Sequence, residues 1–435
     1  MTPRRGQGDM YIRRVVLRGI KGFEDADFNF APDVDRYPGW AAITGDNGSG
    51  KTSLLKAIAV ALLGPDQVRS LLPDLRGWVQ DGLERGTISV EVKPHHEYDK
   101  TRQGGNPVAG TFWAEVEIER QGPVYEITPA DVFRHKKKGA INGPWQQSTQ
   151  GWFTLGYGPF RRLYGSSPDA QRLMVIPGRV PRFATLFKED ATLAEGEEWI
   201  KQLQYKKLEE REHEPLVLEA LLSLLSDEFL RNGITIHQVD SEGVWIKDSA
   251  DRIMPLTDMS DGYRSAVAML IDIFRHMVEV YGPRDLVIRD DSGKFVVDRP
   301  GVVMIDEVDA HLHPAWQREI GFWLKSHFPR IQFLITTHSP LVCQAADNGR
   351  IYHLPQPGEG APFMIDEHQF NQIVAGRPNE ILLTSAFGLD HTRSPRAVTA
   401  RERRARLLAK QRQLPLSGME LEEMRQLDLF AEVEG

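Results

Sequence analysis

Two stretches of this chain concentrate the side chains of hydrolytic chemistry. GDNGSGKT runs from Gly45 to Thr52, and DEVDAHLHPAWQ from Asp306 to Gln317. In the first, Gly45, Gly48 and Gly50 free successive backbone N–H groups to turn inward around phosphate oxygens. Lys51 supplies a full charge to β- and γ-phosphates, and Thr52 a hydroxyl to Mg²⁺. Asp46, Asn47, Ser49 and Ser53 complete the predicted nucleotide-binding loop, with Asn47 and Ser49 as side-chain donors that the spacing permits. The second stretch places Asp306, Glu307 and Asp309 beside His311 and His313 within eight positions. A transition-metal site and a Mg²⁺–carboxylate site are both open on residue types. Histidines at i and i+2 point to different sides of a helix, and no cysteine or third histidine lies near. The Mg²⁺ reading is therefore preferred, with the histidines as packing or turn residues before Pro314.

Each stretch needs an element to deliver it. The apolar strand GWAAITG (39–45) leads into the glycine loop. The helix that follows puts Leu54, Leu55, Ile58 and Leu62 on one face, and Gly64 and Pro65 are expected to end it. Val302 to Ile305 form a buried strand that carries Asp306 and Glu307 to a carboxyl edge, where open α/β sheets bind ligands. There Asp306 would hold Mg²⁺ and Glu307 would orient or deprotonate the attacking water. A second buried strand, IQFLITTHSPLV (331–342), ends near His338. A glycine-containing turn, MSDGY, opens a long helix over 259–282, with Ser260 at its N-cap.

Elsewhere the apolar–polar alternation of 87–93, 111–120 and 123–129 predicts antiparallel strands. Further strands are expected at 11–20 and near DFNF, helices from Glu195 to Leu230, and a hairpin over 244–256. Two loops, RQGGNP (102–107) and the basic FRHKKKG (133–139), separate these elements. A basic helix and an acidic one follow Gly376, the latter with a Ser417/Glu420 capping box. The predicted fold is α/β: a mixed central sheet, an antiparallel β subdomain, a helical lobe and a short C-terminal helical tail. The expected division is 1–190 for the first α/β lobe, 191–258 for the helical lobe and hairpin, 259–375 for the rest of the α/β domain, and 376–435 for the tail.

Composition bounds the class. The 435 residues are 41% apolar and 26% charged, a soluble globular balance. A net charge of −8 argues against a nucleic-acid coat but leaves room for a local basic patch. Arg134, Lys136, Lys137 and Lys138 are such a patch, equally readable as a solvated loop; Arg161 and Arg162 are expected to face nucleotide or DNA. The lone Cys343 removes a disulfide framework and favours the cytoplasm. No apolar run reaches the roughly 20 residues a bilayer span needs, so no membrane partner is expected.

In order, GDNGSGKTS, MSDGY, VVMIDEVDAHLHP and ITTHSP resemble the ATP-binding cassette ATPases, in the compact branch of RecF-, SMC- and OLD-like heads. The opening strand with IKGFEDADF is similar to that branch too. The resemblance spans roughly residues 11 to 345. It implies that Gly45, Gly50, Lys51 and Thr52 are Walker A residues. It makes Asp306 the Walker B aspartate and Glu307 the catalytic carboxylate. Asp309 becomes the D-loop aspartate and His338 the switch histidine that senses the γ-phosphate. Ser260 and Gly262 would be the signature, here SDGY in place of SGGQ. The family arrangement also implies a homodimer or larger homo-oligomer, in which the signature of one subunit closes on ATP and Mg²⁺ held by the other. Asp261 would repel phosphate unless turned away. The coupling glutamine has no evident equivalent near GYGPFRR, with Gln146, Gln147 or Gln150 as substitutes.

About 200 residues separate the glycine loop from the signature, too few for long coiled-coil arms. About 95 follow His338 without an acidic nuclease cluster, so the chain is not expected to cut DNA itself. AHLHPAWQ, GYGPFRR and ILLTSAFGLDHTRS are similar to small bacterial ATPases of phage-defence and retron operons, of the Septu and PARIS types. That resemblance implies an ATP-gated, DNA-sensing regulator with a partner effector such as an HNH nuclease. Two other functions compete. One is a RecF-like repair ATPase that binds DNA as an ATP-dependent dimer. The other is a transporter ATPase, which the RecF-like N-terminus disfavours.

Overall fold

Alternation, apolar runs and glycine breaks give sixteen strands among the described residues. The computed structural model describes residues 9–31, 39–101, 110–130, 139–162, 166–174, 176, 178–208 and 214–428. The stretch at 131–138, with all but the last residue of FRHKKKG, and the whole of RQGGNP lie outside them. The N-terminal half contributes β1 (Tyr11–Ile20), β2 (Phe23–Asn29), β3 (Trp40–Gly45), β4 (Arg85–Lys93), β5 (Phe112–Gln121), β6 (Val124–Pro129) and β7 (Thr154–Tyr157). Then come β8 (Thr235–Asp240), β9 (Gly243–Lys247), β10 (Ile253–Pro255), β11 (Val287–Arg289) and β12 (Phe295–Val297). The last are β13 (Gly301–Ile305), β14 (Ile331–Thr336), β15 (Arg350–Leu354) and β16 (Phe363–Met364). The longer helices are α1 (Lys51–Leu71), α2 (Ala194–Leu208), α3 (Glu214–Ser226), α4 (Asp261–Tyr281), α5 (Pro314–His327), α6 (Glu367–Ala375), α7 (Pro395–Gln411) and α8 (Gly418–Asp428).

The site rests on a six-stranded sheet of order β16-β15-β3-β14-β13-β7. All neighbours from β15 to β7 are parallel, and β16 adds an antiparallel edge. β3, β7, β13 and β14 are buried on both faces, which explains their continuous apolar runs. Successive side chains then serve two different cores. Ala41, Ile43, Val302, Met304 and Leu334 pack with α1 and a second sheet, β2-β1-β4-β5-β6, which is wholly antiparallel. Trp40, Ala42, Val303, Ile305, Phe333 and Ile335 pack on the other side with α2 to α5.

Two local predictions change. Gly64 and Pro65 do not end the first helix: they kink it, Gly64 at φ 76°, and it continues to Leu71. Pro65 lacks the N–H that Ala61 C=O would accept four residues on. The Trp145 indole N–H supplies it instead, at 2.7 Å. The predicted hairpin at 244–256 is the β9–β10 half of a three-stranded sheet, β8 having been missed because most of its residues stay wet. The tail helices α7 and α8 pair with each other through Arg403–Glu423 at 2.8 Å, Arg404–Asp428 at 2.7 Å and Lys410–Glu420 at 2.6 Å. Hydrogen bonds from Lys410 and Ser417 push Glu420 down to about 2. The Ser417/Glu420 capping box forms, with Glu420 N–H donating to Ser417 Oγ at 3.3 Å and Ser417 N–H to the Glu420 carboxylate at 2.9 Å. Among the described residues, no helix is long and apolar enough to cross a membrane.

Candidate nucleotide site

The glycine loop sits at the carboxyl end of β3, and α1 starts directly after it. Gly45 adopts φ 143°, and a Cβ there would lie 2.4 Å from Leu354 O and 2.6 Å from Ser49 Oγ. No other residue fits that turn. Asp46, Asn47 and Gly48 are exposed, Gly50, Thr52 and Ser53 half-buried, and Ser49 and Lys51 buried. Lys51 Nζ donates back across the loop to Gly45 O at 2.8 Å and Asp46 O at 2.9 Å. Burial lowers its pKa, opposed by the charges of Asp306, Glu307, Asp46 and Asp309. The Ser49 hydroxyl is buried with no partner among the described residues. An inward-turned loop with a buried cation and an unspent hydroxyl fits phosphate oxygens.

Across the edge, Asp306 is fully buried at the end of β13. Its carboxylate accepts from Thr52 Oγ1 at 2.6 Å and from Thr336 Oγ1 at 2.5 Å. The hydroxyl of Thr52 and the carboxylate of Asp306 are hard oxygen donors of the kind Mg²⁺ prefers. Bound there, the ion would neutralise charge on the phosphate oxygens. Glu307 is half-buried and holds a left-handed backbone, φ 46°, uncommon for a side chain of its size. Asp309 accepts from Thr337 Oγ1 at 2.5 Å. In sheet order β14 lies between β3 and β13, so the residues after it, Thr337 and His338, end between the Lys51 loop and the carboxylates. His338 is exposed and makes no hydrogen bond among the described residues.

Ser260 occupies the N-cap position of α4, is exposed, and makes no side-chain capping bond. Asp261 turns aside to an ion pair with Arg264, whose hydrogen bond lowers the carboxyl pKa. Its orientation is thereby settled. Gly262 abuts the turn after the carboxylates: a Cβ would meet His311 O at 2.4 Å. The start of α4 and the turn after the carboxylates thus pack on one another within the chain. Of the two histidines, His313 caps α5, its Nδ1 accepting from Ala315 N–H at 3.2 Å, and His311 is an exposed turn residue at φ 63°.

The glutamines do not reach this edge. Gln146, Gln147 and Gln150 precede β7, at its amino end, and Arg179 binds Gln146 O there at 2.7 Å. The residue that follows the carboxyl end of β7 into the site is Arg161. It turns inward and donates to Gly158 O at 3.1 Å, Asp306 O at 2.8 Å and Glu307 O at 3.1 Å. Its expected exposure to nucleotide or DNA gives way to a buried clamp. Burial draws its pKa down to about 10, opposed by Asp306, Asp309 and Glu307. The Gly-Pro turn of GYGPFRR was the visible signal; which arginine turned inward was not. Thr336 was missed entirely, since one threonine in an apolar strand carries no spacing signal.

The chain resembles several known proteins. Residues 166–344 match the family described as "AAA domain, putative AbiEii toxin, Type IV TA system", and residues 14–152 match one described as "AAA domain". Septu protein PtuA of Bacillus mycoides (strain KBAB4) is 25% identical over 378 residues, 87% of this chain and 44% of that protein. Retron Ec83 probable ATPase of Escherichia coli is 35% identical over 109 residues, 25% of this chain and 18% of that protein. The chain therefore spans less than half the length of either relative. Among solved structures, an Smc head domain with an extended coiled coil from Pyrococcus furiosus aligns at TM-score 0.46 and 14% identity, over 84% of this chain and 98% of that one. RecF bound to an ATP analogue aligns at TM-score 0.41 and 13% identity, over 83% and 100%. The chain thus carries matches to two AAA-domain families of P-loop ATPases, and Septu PtuA and retron ATPases are among the proteins it is similar to.

Proposed function

We propose that this protein binds Mg²⁺·ATP at the Gly45–Thr52 loop and hydrolyses it between two copies of the chain. The observation that carries this is the bond of Thr52 to Asp306, with Glu307 next in sequence. It joins the phosphate loop to the Walker B carboxylate from 254 residues away. Lys51, Thr52 and Asp306 hold triphosphate and metal, Glu307 takes the proton of the attacking water, and His338 senses the γ-phosphate. Ser260 and Gly262 of the second copy cover the outer face of that phosphate, and Asp309 lies at the same junction. The exposed Ser260 hydroxyl, free of a capping role, supports this arrangement. The kinship with Septu PtuA and retron ATPases supports a role as the ATP-gated regulator of a defence system with a separate nuclease effector. DNA is a further proposed ligand.

The test is Glu307→Gln. The variant is expected to bind Mg²⁺·ATP as tightly as the wild type, to accumulate an ATP-bound assembly, and to lose turnover by about 10²–10⁴-fold. Hydrolysis at the wild-type rate by this variant removes Glu307 from the role. Co-expression with a candidate HNH nuclease, followed by purification through a tag on this chain, tests the effector. Failure of the pair to co-purify in both ATP-bound and nucleotide-free states rejects it.

A further inference from the structure

Arg161 is a buried guanidinium whose partners among the described residues are peptide carbonyls: Gly158 O, Asp306 O and Glu307 O. It contacts no carboxylate among the described residues, an expensive way to bury a charge. What it holds is the least relaxed turn in the site. Glu307 sits at φ 46°, a conformation that costs about 1–3 kcal/mol for such a residue and persists only when its surroundings fix it. Here all four backbone polar atoms of the Asp306–Glu307 dipeptide are tied. Asp306 N–H donates to Tyr157 O at 2.8 Å, and Glu307 N–H to Thr336 Oγ1 at 2.7 Å. Both carbonyls go to Arg161.

We propose that Arg161 is a positioning residue for ATP hydrolysis, clamping the Asp306 and Glu307 carbonyls so that the Glu307 carboxylate is held where it meets the attacking water. The inference rests on the ATPase reading above. The clamp occupies the strand end where the resemblance called for a coupling glutamine. A planar fork bridges three carbonyls that a lysine, with its donors on one nitrogen, does not span. With Lys the turn is free to relax, and a shift of about 1 Å at the base is worth about 100-fold in rate.

The experiment measures Mg²⁺·ATP affinity and turnover of the purified full chain for wild type, Arg161→Lys, Glu307→Gln and the double variant. For Arg161→Lys the expected result is turnover down about 100-fold, ATP affinity within threefold of wild type, and no further loss when it is added to Glu307→Gln. A lysine variant with near-wild-type turnover overturns the proposal. So do parallel losses of affinity and turnover, which would make Arg161 a binding or folding residue, and an additive loss in the double variant. If the wild type neither binds nor hydrolyses ATP, the ATPase reading itself fails, an outcome read before any variant is compared.

Discussion

Thr336 shows how much one small side chain can carry. Its hydroxyl donates to Asp306 and accepts from the Glu307 N–H, so it fixes the Asp306 carboxylate and the Glu307 backbone together. Thr336→Val keeps the shape and removes both bonds, leaving a buried carboxylate oxygen and a peptide N–H unmet. The expected cost is about 1–3 kcal/mol in denaturant unfolding, with turnover falling more than ATP affinity. An unchanged unfolding midpoint and unchanged turnover contradict this account. At this scale the sequence was partly legible. Lys51, Thr52, Asp306 and Glu307 stood out because their chemistry depends on fixed spacing along the chain. Thr336 and Arg161 act through contacts across the fold, between residues 30 and 145 positions apart, and no local pattern marks such pairs.

At the level of elements, α1 replaces a rule with a repair. Gly64 and Pro65 are strong helix terminators, yet the helix runs on because its second half is also buried, through Val68 and Leu71. Burial of such side chains is worth about 1.5–3 kcal/mol each, enough to outweigh the broken bond when that bond is restored from outside. Trp145 restores it, and Gln67 Nε2 reaches back to Leu63 O and Trp145 O at 3.2 Å each. Trp145→Phe should therefore cost about 1–3 kcal/mol, measured by thermal or denaturant unfolding, for the orphaned Ala61 carbonyl. A Phe variant as stable as wild type shows that water or another donor serves that carbonyl. The buried parallel strands were legible as apolar runs, but their order was not. That β14 inserts between β3 and β13, and so brings the His338 segment between phosphate loop and carboxylates, is a fact of pairing alone.

For the whole molecule, the telling feature is an exposed Ser260 on a helix start whose Gly262 is packed against His311 of its own chain. That packing fixes the signature relative to the carboxylate segment, so a second copy would meet a preformed surface. In a Glu307→Gln background, Ser260→Arg should abolish ATP-dependent dimerisation in light scattering, while ATP affinity stays within threefold. A dimer that survives Ser260→Arg places the interface elsewhere. The tail helices, in contrast, satisfy much of their charge against each other through Arg403, Arg404 and Lys410.

By itself the sequence located the glycine loop and the carboxylates, the buried strands that bear them, and the long helix after MSDGY. Each of these is local: a glycine spacing, an apolar run or a helical period is dictated by backbone geometry within a few residues. Only the tertiary structure decided which strand lies next to which, that Asp261 pairs with Arg264, that the glutamines sit at the amino end of β7, and that a buried arginine and a threonine hold the Asp306–Glu307 backbone. Those outcomes are set by competition for burial and hydrogen-bond partners among residues far apart in the chain, which no spacing along it records.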